Sequence, residues 1–335
     1  MTTNIAHPSR MLKVLLLVVA LLTWGCQANT ERTPKPETLK LSLAMQPTPY
    51  SGLLAVADEK GYFKEEALEV SMNFHSSGRE CLEAVSRGEA DVSTVADIAF
   101  AAKIFEDPSI RVLATIGTTQ GSQIIARKDR NIQNPADLKG KRVGYTPGTT
   151  SDYFLYAFLT RQNIQQEDIT LVEIPAARQV EAIVNGDVDA VSVFDIYGFE
   201  AIERLGDTAV SWDAQNNLSY HWLLVAKENF IQSPEPLKRL LRALIKARDF
   251  SLSQDEETRR IIAQKWDLDP SIVDRVWQRT RLNVSLGQSI VTSLQHYSLW
   301  QINKAGKPSE MPEVIKYLHT GILDEVAPEL VTIYR

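Results

Sequence analysis

The chain has 335 residues, a formal net charge of −6 and 44% hydrophobic residues, with two cysteines and five histidines. An acidic chain without a basic cluster lacks the electrostatic footprint of nucleic-acid-binding proteins, so we exclude that class of partner. The length suggests two domains or lobes, each with its own hydrophobic core. The histidines and cysteines show no metal-ligand spacing, and we expect neither a metal nor another cofactor.

Residues 1–25 have the layout of a secretory signal peptide, because Arg10 and Lys13 lead into nine apolar residues. That run is too short to span a membrane, which takes about 20 apolar residues. Gly25 before Cys26 resembles the lipobox of bacterial lipoproteins and predicts a lipid anchor at Cys26; cleavage to a soluble form is the alternative. Residues 26–38 are polar and proline-containing, which predicts a flexible tether.

The first part of the body alternates between strand and helix patterns. Such alternation is typical of a largely parallel sheet covered on both faces. The predicted elements are, in chain order, a strand over 39–45, a helix over 51–60 ending at Gly61, a strand over 68–74, a helix over 79–87, and strands over 91–95 and 110–116.

A repeat is the most informative internal feature. Residues 84–97 align without gaps with residues 182–195, at an offset of 98 residues. In each copy a helix end, a glycine, a short strand and a final aspartate follow in order. The offset is far longer than the period of about 20 to 50 residues found in solenoid repeats. The repeat therefore indicates two similar lobes.

The remaining elements complete a two-lobe interpretation. The pattern predicts, in chain order, strands over 124–127 and 142–145, a helix over 153–161, a returning segment over 220–227 and mostly helix from Leu237 onward. We therefore predict a discontinuous lobe 1 formed by residues 39–118 and 222–335, and a lobe 2 formed by residues 119–221. The chain would cross between the lobes twice.

Five short stretches occur in a characteristic order along the chain. They are Ala57-Asp-Glu-Lys-Gly61-Tyr-Phe63-Lys, Gly88-Glu-Ala-Asp91, Pro135-Ala-Asp-Leu-Lys-Gly140-Lys-Arg-Val143, Gly186-Asp-Val-Asp189 and Val326-Ala-Pro328-Glu329. In their order and spacing, which cover nearly the whole body of the chain, they resemble the nitrate, sulfonate, taurine and thiamine-precursor branch of ABC-transporter solute-binding proteins.

The resemblance implies a type II periplasmic-binding-protein fold, with two α/β lobes joined by two crossings and a ligand cleft between them. It also implies a monomeric protein outside the cytoplasmic membrane that delivers a small-molecule solute to ABC transporter permease subunits and catalyses nothing. Periplasmic or cell-surface anchoring would be at Cys26. The solute we expect is small and polar, either sulfonate-like, as taurine is, or amine-bearing.

Residues near strand ends are the candidate ligand contacts, because open α/β sheets bind ligands beyond the carboxyl ends of their strands. Helix starts offer free N–H groups to anions, although a hydroxyl there is equally typical of a helix N-cap. Thr118 and Thr119 lie where we place the first crossing, and Trp222 is assigned to the core. The candidates are Gln46, Tyr50, Ser76, Ser77, Asp97, Thr118, Thr149, Thr150, Ser151 and Asp195.

Asp97 and Asp195 occupy equivalent places in the repeat, one in each lobe. Two carboxylates facing one cleft repel each other unless a donor or cation lies between them. This arrangement favours a ligand with an amino group, whereas the competing interpretation is that each aspartate only caps a helix.

An enzyme is the main alternative, because thiamine-precursor pyrimidine synthases resemble the same fold. No Gly-x-Ser-x-Gly, His-Glu-x-x-His or phosphate-binding Gly-rich motif is present. A pyrimidine-binding transport protein is the second alternative.

Overall fold

The computed structural model describes residues 1–2, 36–306 and 310–334. The predicted signal peptide, most of the tether and the lipidation site at Cys26 lie outside these residues. Residues from Thr38 onward form one compact unit, and it contains two β-sheets surrounded by helices.

In the described ranges, twelve strands form the two sheets. They are β1 (Leu39–Met45), β2 (Leu68–Phe74), β3 (Val92–Ala96), β4 (Ile110–Thr119), β5 (Gln123–Arg127), β6 (Arg142–Tyr145), β7 (Thr170–Glu173), β8 (Ala190–Val193), β9 (Ala209–Asp213), β10 (Tyr220–Lys227), β11 (Thr280–Gly287) and β12 (Val331–Thr332). The first sheet has the order β12-β11-β4-β10-β3-β1-β2, and the second has the order β7-β6-β8-β5-β9.

Thirteen α-helices pack against these sheets in the described part of the chain. They are α1 (Gly52–Glu59), α2 (Tyr62–Glu65), α3 (Gly78–Arg87), α4 (Asp97–Lys103), α5 (Thr150–Arg161), α6 (Gln179–Asn185), α7 (Asp195–Leu205), α8 (Glu228–Ile231), α9 (Glu235–Ser253), α10 (Asp255–Trp266), α11 (Pro270–Trp277), α12 (Gln288–Ala305) and α13 (Thr320–Val326). The apolar stripe of α9 is buried, as its spacing predicts.

The prediction of largely parallel sheets is only half right. Strand β1 pairs in parallel with β2 and β3, and β6 pairs in parallel with β7 and β8. However, β10 is antiparallel to both β3 and β4, and β5 is antiparallel to both β8 and β9. Strands β5 and β10 each follow a passage between the sheets, and each runs antiparallel to both of its neighbours. Both sheets are therefore mixed.

The expectation of helix from Leu237 onward missed β11 and β12. Strand β11 carries Leu282, Val284 and Leu286 in alternation with polar residues, the pattern of a half-buried strand. It pairs antiparallel with β4 and lies between helices α11 and α12. The alternation of apolar and polar residues that predicts a strand is present in the sequence. It covers only a few residues, however, and longer stretches with helical spacing lie on both sides of it.

The repeat corresponds to two structurally matching corners. Gly88 and Gly186 end their helices with φ values of 74° and 81°, in the left-handed region that favours glycine. In the first copy the Asp91 carboxylate accepts hydrogen bonds of 2.7 Å from the backbone N–H and the hydroxyl of Ser42. In the second copy Asp189 accepts a 2.9 Å bond from the backbone N–H of Arg142. Both aspartates tie a strand to its parallel neighbour.

The chain passes between the sheets twice, after Thr119 and after Asp213. The side chain of Gln215, in the second passage, is fully buried and holds the two passages together. Its oxygen accepts hydrogen bonds from the backbone N–H groups of Gly121 and Ser122, and its nitrogen donates to the Leu218 carbonyl at 2.7 Å. The exact lobe boundaries stay a prediction, but sheet membership changes at these two passages.

Candidate ligand-binding cleft

A small cavity lies between the carboxyl ends of β1 and β3 from the first sheet and the loop after β6 in the second. It has a free volume of about 10 Å³, which leaves room for about one water molecule. Of the predicted site residues, this cavity brings together Gln46, Tyr50, Thr149 and Thr150. The full lining is Gln46, Tyr50, Gly78, Arg79, Ala96, Ala99, Thr149, Thr150, Phe194, Tyr220 and Trp222.

The wall from the first sheet is mostly aromatic, with Gln46 and Arg79 as its polar side chains. The rings of Tyr50 and Trp222 meet edge to face with centroids 4.7 Å apart, and Tyr50 meets Tyr220 at 6.0 Å. The indole N–H of Trp222 donates to the Ser51 hydroxyl at 2.9 Å, and this hydroxyl donates to the Gln46 carbonyl. This chain of bonds fixes the loop after β1, and it makes Trp222 a cleft residue as well as the core residue that the sequence suggested.

Gln46 is the uncharged polar side chain of this wall. Its side chain is 2% exposed, and its amide nitrogen Nε2 has no hydrogen-bond partner among the described residues. An unsatisfied buried donor costs about 1–3 kcal/mol. A donor left open at the edge of a cavity therefore points to a ligand acceptor.

The wall from the second sheet is the start of helix α5. The Ser151 hydroxyl accepts from the Thr146 N–H at 3.0 Å and donates to the Ser192 carbonyl at 2.7 Å, while the Thr149 hydroxyl donates to the Thr146 carbonyl. Ser151 thus shapes the turn and does not line the cavity. The first N–H groups of a helix have no intrahelical acceptor and carry a partial positive charge, so the helix start favours an anionic group.

Two hydrogen bonds join the walls across the cleft. The guanidinium of Arg79 donates to the Pro147 carbonyl at 2.7 Å, and the hydroxyl of Tyr197 donates to the Ser76 carbonyl at 3.0 Å. Burial, followed by the nearby carboxylates of Glu80 and Glu200, raises the pKa of Tyr197 to about 12, so this hydroxyl keeps its proton at neutral pH. The two sheets are therefore in a closed arrangement.

Three of the other predicted residues lie beside the cavity rather than on its surface. Ser77 is the N-cap of α3, where its hydroxyl accepts from the Glu80 N–H at 3.3 Å. The Ser76 hydroxyl donates to the Glu80 carboxylate at 2.7 Å. Thr118 lies within β4, paired in register with His221 and Arg281 rather than in the passage between the sheets.

Asp97 lies behind the cleft wall. It is fully buried, and its carboxylate accepts from the Ile98 N–H at 2.9 Å, from the His221 N–H at 3.1 Å and from His221 Nδ1 at 2.9 Å. Its neighbours Ala96 and Ala99 line the cavity, whereas Asp97 does not. Asp195 begins α7 as the repeat predicts, and its side chain is outside the described part of the structure. The proposed pair of carboxylates facing the ligand therefore has no support from Asp97.

The sequence analysis did not select Arg79, Phe194 or Tyr220 as ligand contacts. Each follows or begins a strand at the cleft edge: Phe194 comes directly after β8, and Tyr220 begins β10. Arg79 follows the Ser-Ser-Gly loop after β2 and lies in the first turn of α3. Its place directly after a strand-to-helix loop is the sequence signal that indicates a cleft residue. In residues 1–2, 36–306 and 310–334 there is no group of three His, Cys, Asp or Glu side chains suited to a metal, and no helix long and apolar enough to cross a membrane.

Comparison with known sequences assigns the family. The profile described as NMT1/THI5 like matches residues 48–258, more than half of the chain and most of the elements that form the cleft. The chain belongs to the NMT1/THI5-like family. Its cavity residues from Tyr50 to Trp222 all lie within the matched range.

Individual relatives of this NMT1/THI5-like protein are distant. A Bacillus subtilis protein named provisionally as an aliphatic sulfonates-binding protein is 24% identical, covering 86% of this chain and 88% of the relative. The formylaminopyrimidine-binding protein of Halalkalibacterium halodurans is 22% identical, over 76% and 78%. A 4-amino-5-hydroxymethyl-2-methylpyrimidine phosphate synthase of Aspergillus parasiticus is 26% identical, over 62% and 64%.

A solved structure shows the same fold. The alkanesulfonate-binding protein SsuA from Xanthomonas axonopodis pv. citri, bound to MOPS, superimposes with a TM-score of 0.72 and 17% sequence identity, covering 85% of this chain and all of the other. The NMT1/THI5-like chain therefore has the periplasmic-binding-protein fold, which confirms the predicted fold class.

Proposed function

We propose that this protein is the extracytoplasmic solute-binding component of an ABC-type importer and that its cleft closes on a small organic anion. The observation that carries the proposal is the unpartnered Nε2 donor of Gln46, buried in a cavity whose opposite wall is the start of α5. Gln46 from the first sheet and Thr149 and Thr150 at the start of α5 line the same small volume. A ligand that accepts hydrogen bonds from both stabilises the closed arrangement.

The charge of the lining favours an anion over an amine. Arg79 is the charged side chain of the lining, and no Asp or Glu is among the cavity residues. The helix start adds partial positive charge. An ammonium ligand would meet donors and a like charge, so the sulfonate-like member of the two expected ligand classes fits better than the amine-bearing one.

The aromatic part of the cavity lining favours an organic ligand over a bare inorganic anion. Tyr50, Phe194, Tyr220 and Trp222 present ring surface to the cavity, and apolar surface gains by burial at roughly 25 cal/mol per Å². The alkyl part of an alkanesulfonate would contact these rings. Since the closed cavity holds about one water molecule, entry of such a ligand requires the sheets to separate first.

A pyrimidine is the second candidate ligand. The same four aromatic rings are suited to contact a flat heterocycle, and two relatives are named for pyrimidine compounds. A pyrimidine would use the Gln46 amide as a donor to a ring nitrogen but would bring no negative charge to Arg79. In either case the protein acts as a binding component delivering solute to permease subunits, tethered through a lipid at Cys26 and monomeric.

A thermal-shift screen of the purified protein tests the proposal. The ligands are alkanesulfonates, taurine, MOPS, nitrate, bicarbonate, primary amines and aminopyrimidines. We expect alkanesulfonates to raise the melting temperature more than amines or nitrate. A ligand at 100 times its Kd stabilises by about 2.7 kcal/mol, which gives a readily measured shift.

Calorimetry on two variants then locates the binding site. Gln46→Glu replaces the open donor by a carboxylate of nearly the same shape and should weaken sulfonate binding at least ~10-fold, because an acceptor faces an acceptor. Gln232→Glu makes the same chemical change at an exposed position far from the cleft and should leave the Kd unchanged. Equal binding by both variants, or a response to amines alone, would contradict the proposal.

A further inference from the structure

Three side chains distant in sequence form a hydrogen-bonded line outside the cleft. Asp97 at the start of α4 lies 2.9 Å from Nδ1 of His221 at the start of β10. The other ring nitrogen of His221, Nε2, lies 3.1 Å from the hydroxyl oxygen of Ser289, in the first turn of α12. Asp97 is fully buried, His221 is mostly buried, and Ser289 is exposed.

The hydrogen-bond partners assign the two ring nitrogens their roles in the proposed chemistry. A carboxylate accepts hydrogen bonds and does not donate them, so Nδ1 donates to Asp97. In the neutral imidazole the other nitrogen, Nε2, is then the acceptor for the Ser289 hydroxyl proton. Ser293 lies 3.3 Å from Nδ1, on the Asp97 side of the ring, and does not compete for Nε2. Carboxylate, imidazole and hydroxyl therefore stand in the order that activates a serine for acyl transfer.

Helix α12 brings backbone N–H groups to the same turn as Ser289. Helix α12 has 18 residues, and its N-cap, Gly287, has no side chain to cap the first N–H groups. These groups have no intrahelical acceptor. Donors of this kind next to a nucleophile stabilise the negative oxygen that develops when the hydroxyl attacks a carbonyl.

We propose that Ser289 is an activated nucleophile that reacts with small activated esters, independently of solute binding in the cleft. The Ser289 oxygen would bond to the ester carbonyl carbon while its proton passes to His221 Nε2. The carbon–oxygen bond to the leaving alcohol or phenol then breaks, and His221 returns the proton to that leaving oxygen. Water repeats the sequence on the acyl-serine and releases the carboxylic acid. Asp97 acts through His221 as a positioning residue.

A fluorophosphonate probe followed by peptide mass spectrometry tests this assignment on the full chain. We expect the probe on Ser289, and we expect Ser289→Ala to lose it. His221→Gln should slow labelling at least ~100-fold, since a positioned general base contributes about 10² to 10⁴. Ser271→Ala is the matched control, because Ser271 is also an exposed serine in a first helical turn but contacts Asp269 and not a histidine; it should label at the wild-type rate.

The role of Asp97 is tested by the pH dependence of ester hydrolysis, which should stay unchanged if Asp97 is only structural. Asp97→Asn should shift the midpoint of the pH profile for p-nitrophenyl acetate hydrolysis and slow labelling of Ser289, while circular dichroism reports whether the variant is folded. Absence of labelling, labelling at another serine, or equal rates for wild type and His221→Gln would overturn the proposal, whatever the outcome of the solute-binding experiments.

Discussion

The guanidinium of Arg79 donates a 2.7 Å hydrogen bond to the carbonyl oxygen of Pro147, and this bond connects helix α3 of the first sheet to the loop that precedes α5 of the second. The same guanidinium pairs with Glu83 at 3.0 Å. Arg79 thus touches both halves of the cleft at the point where the ligand is expected. Under the proposed function, Arg79 would link closure of the cleft to the charge of the bound solute.

Arg79→Met should weaken binding of the best sulfonate by about 10- to 100-fold, because a hydrogen bond to a charged group contributes about 1.5–3 kcal/mol. The melting temperature of the free protein should change little, since the side chain is 44% exposed. Isothermal calorimetry measures the first effect and scanning calorimetry the second. Arg87→Met, on the same helix and paired with Glu89, is the control and should keep the wild-type Kd.

Gly148→Ala should lower both stability and affinity. Gly148 has a φ of +66°, and an added Cβ would lie 3.2 Å from Nη1 of Arg79. The left-handed backbone alone costs about 1 kcal/mol for alanine. Gly140→Ala shares that cost at φ +75° but meets no neighbouring atom, so it should lose stability and keep full affinity. A normal Kd for Gly148→Ala would remove this glycine from the closing mechanism.

Asp189 should contribute stability that depends on pH. Burial alone would raise its pKa, but the hydrogen bonds and charge of Arg142 outweigh burial and hold the pKa below the usual 3.8. A lowered pKa in the folded state means that the contribution is complete above the unfolded pKa and is lost as the pH falls through the folded pKa. Asp189→Asn should therefore cost about 1–3 kcal/mol at pH 7 and progressively less below pH 3.8.

Urea unfolding of Asp189→Asn and wild type at pH 7 and at pH 3 measures this difference. Asp187→Asn is the control, because Asp187 is exposed in the same turn and should have little effect at either pH. A cost for Asp189→Asn that stays the same at both pH values would show that its role is packing and not charge.

Cys26→Ala should abolish lipid labelling in cells. The expectation comes from Gly25 and Cys26 after the apolar run, and the variant should be found either as uncleaved precursor or as released protein. Metabolic labelling with palmitate, with Cys81→Ala as the control, measures this. Cys81 is buried in α3, and unchanged labelling of Cys26→Ala would exclude the anchor.

The two-lobe fold was predictable because the same local sequence pattern occurs once in each lobe. The helix-ending glycines Gly88 and Gly186 and the aspartates after them give the repeat its form, and both copies have the same structural role. Gln46, Tyr50, Thr149 and Thr150 could be selected because they follow strands, and strand ends meet at the cleft.

The remaining features depend on pairs of residues far apart in the chain. Asp97 and His221 are 124 residues apart, and no local pattern indicates that the aspartate is satisfied by a histidine rather than by a ligand. Gln215 likewise looks like any loop glutamine, although its amide joins the two passages between the sheets. Such contacts follow from the tertiary arrangement and not from periodicity.

A crystal structure of the protein with its best sulfonate tests the central claim most directly. We predict sulfonate oxygens within 2.7–3.2 Å of Gln46 Nε2 and of the N–H groups at the start of α5, the usual range for N–H···O bonds. The carbon part of the ligand should contact Tyr50 and Trp222. A ligand bound outside this cavity, or a Gln46 amide that remains without a partner in the complex, would contradict the account.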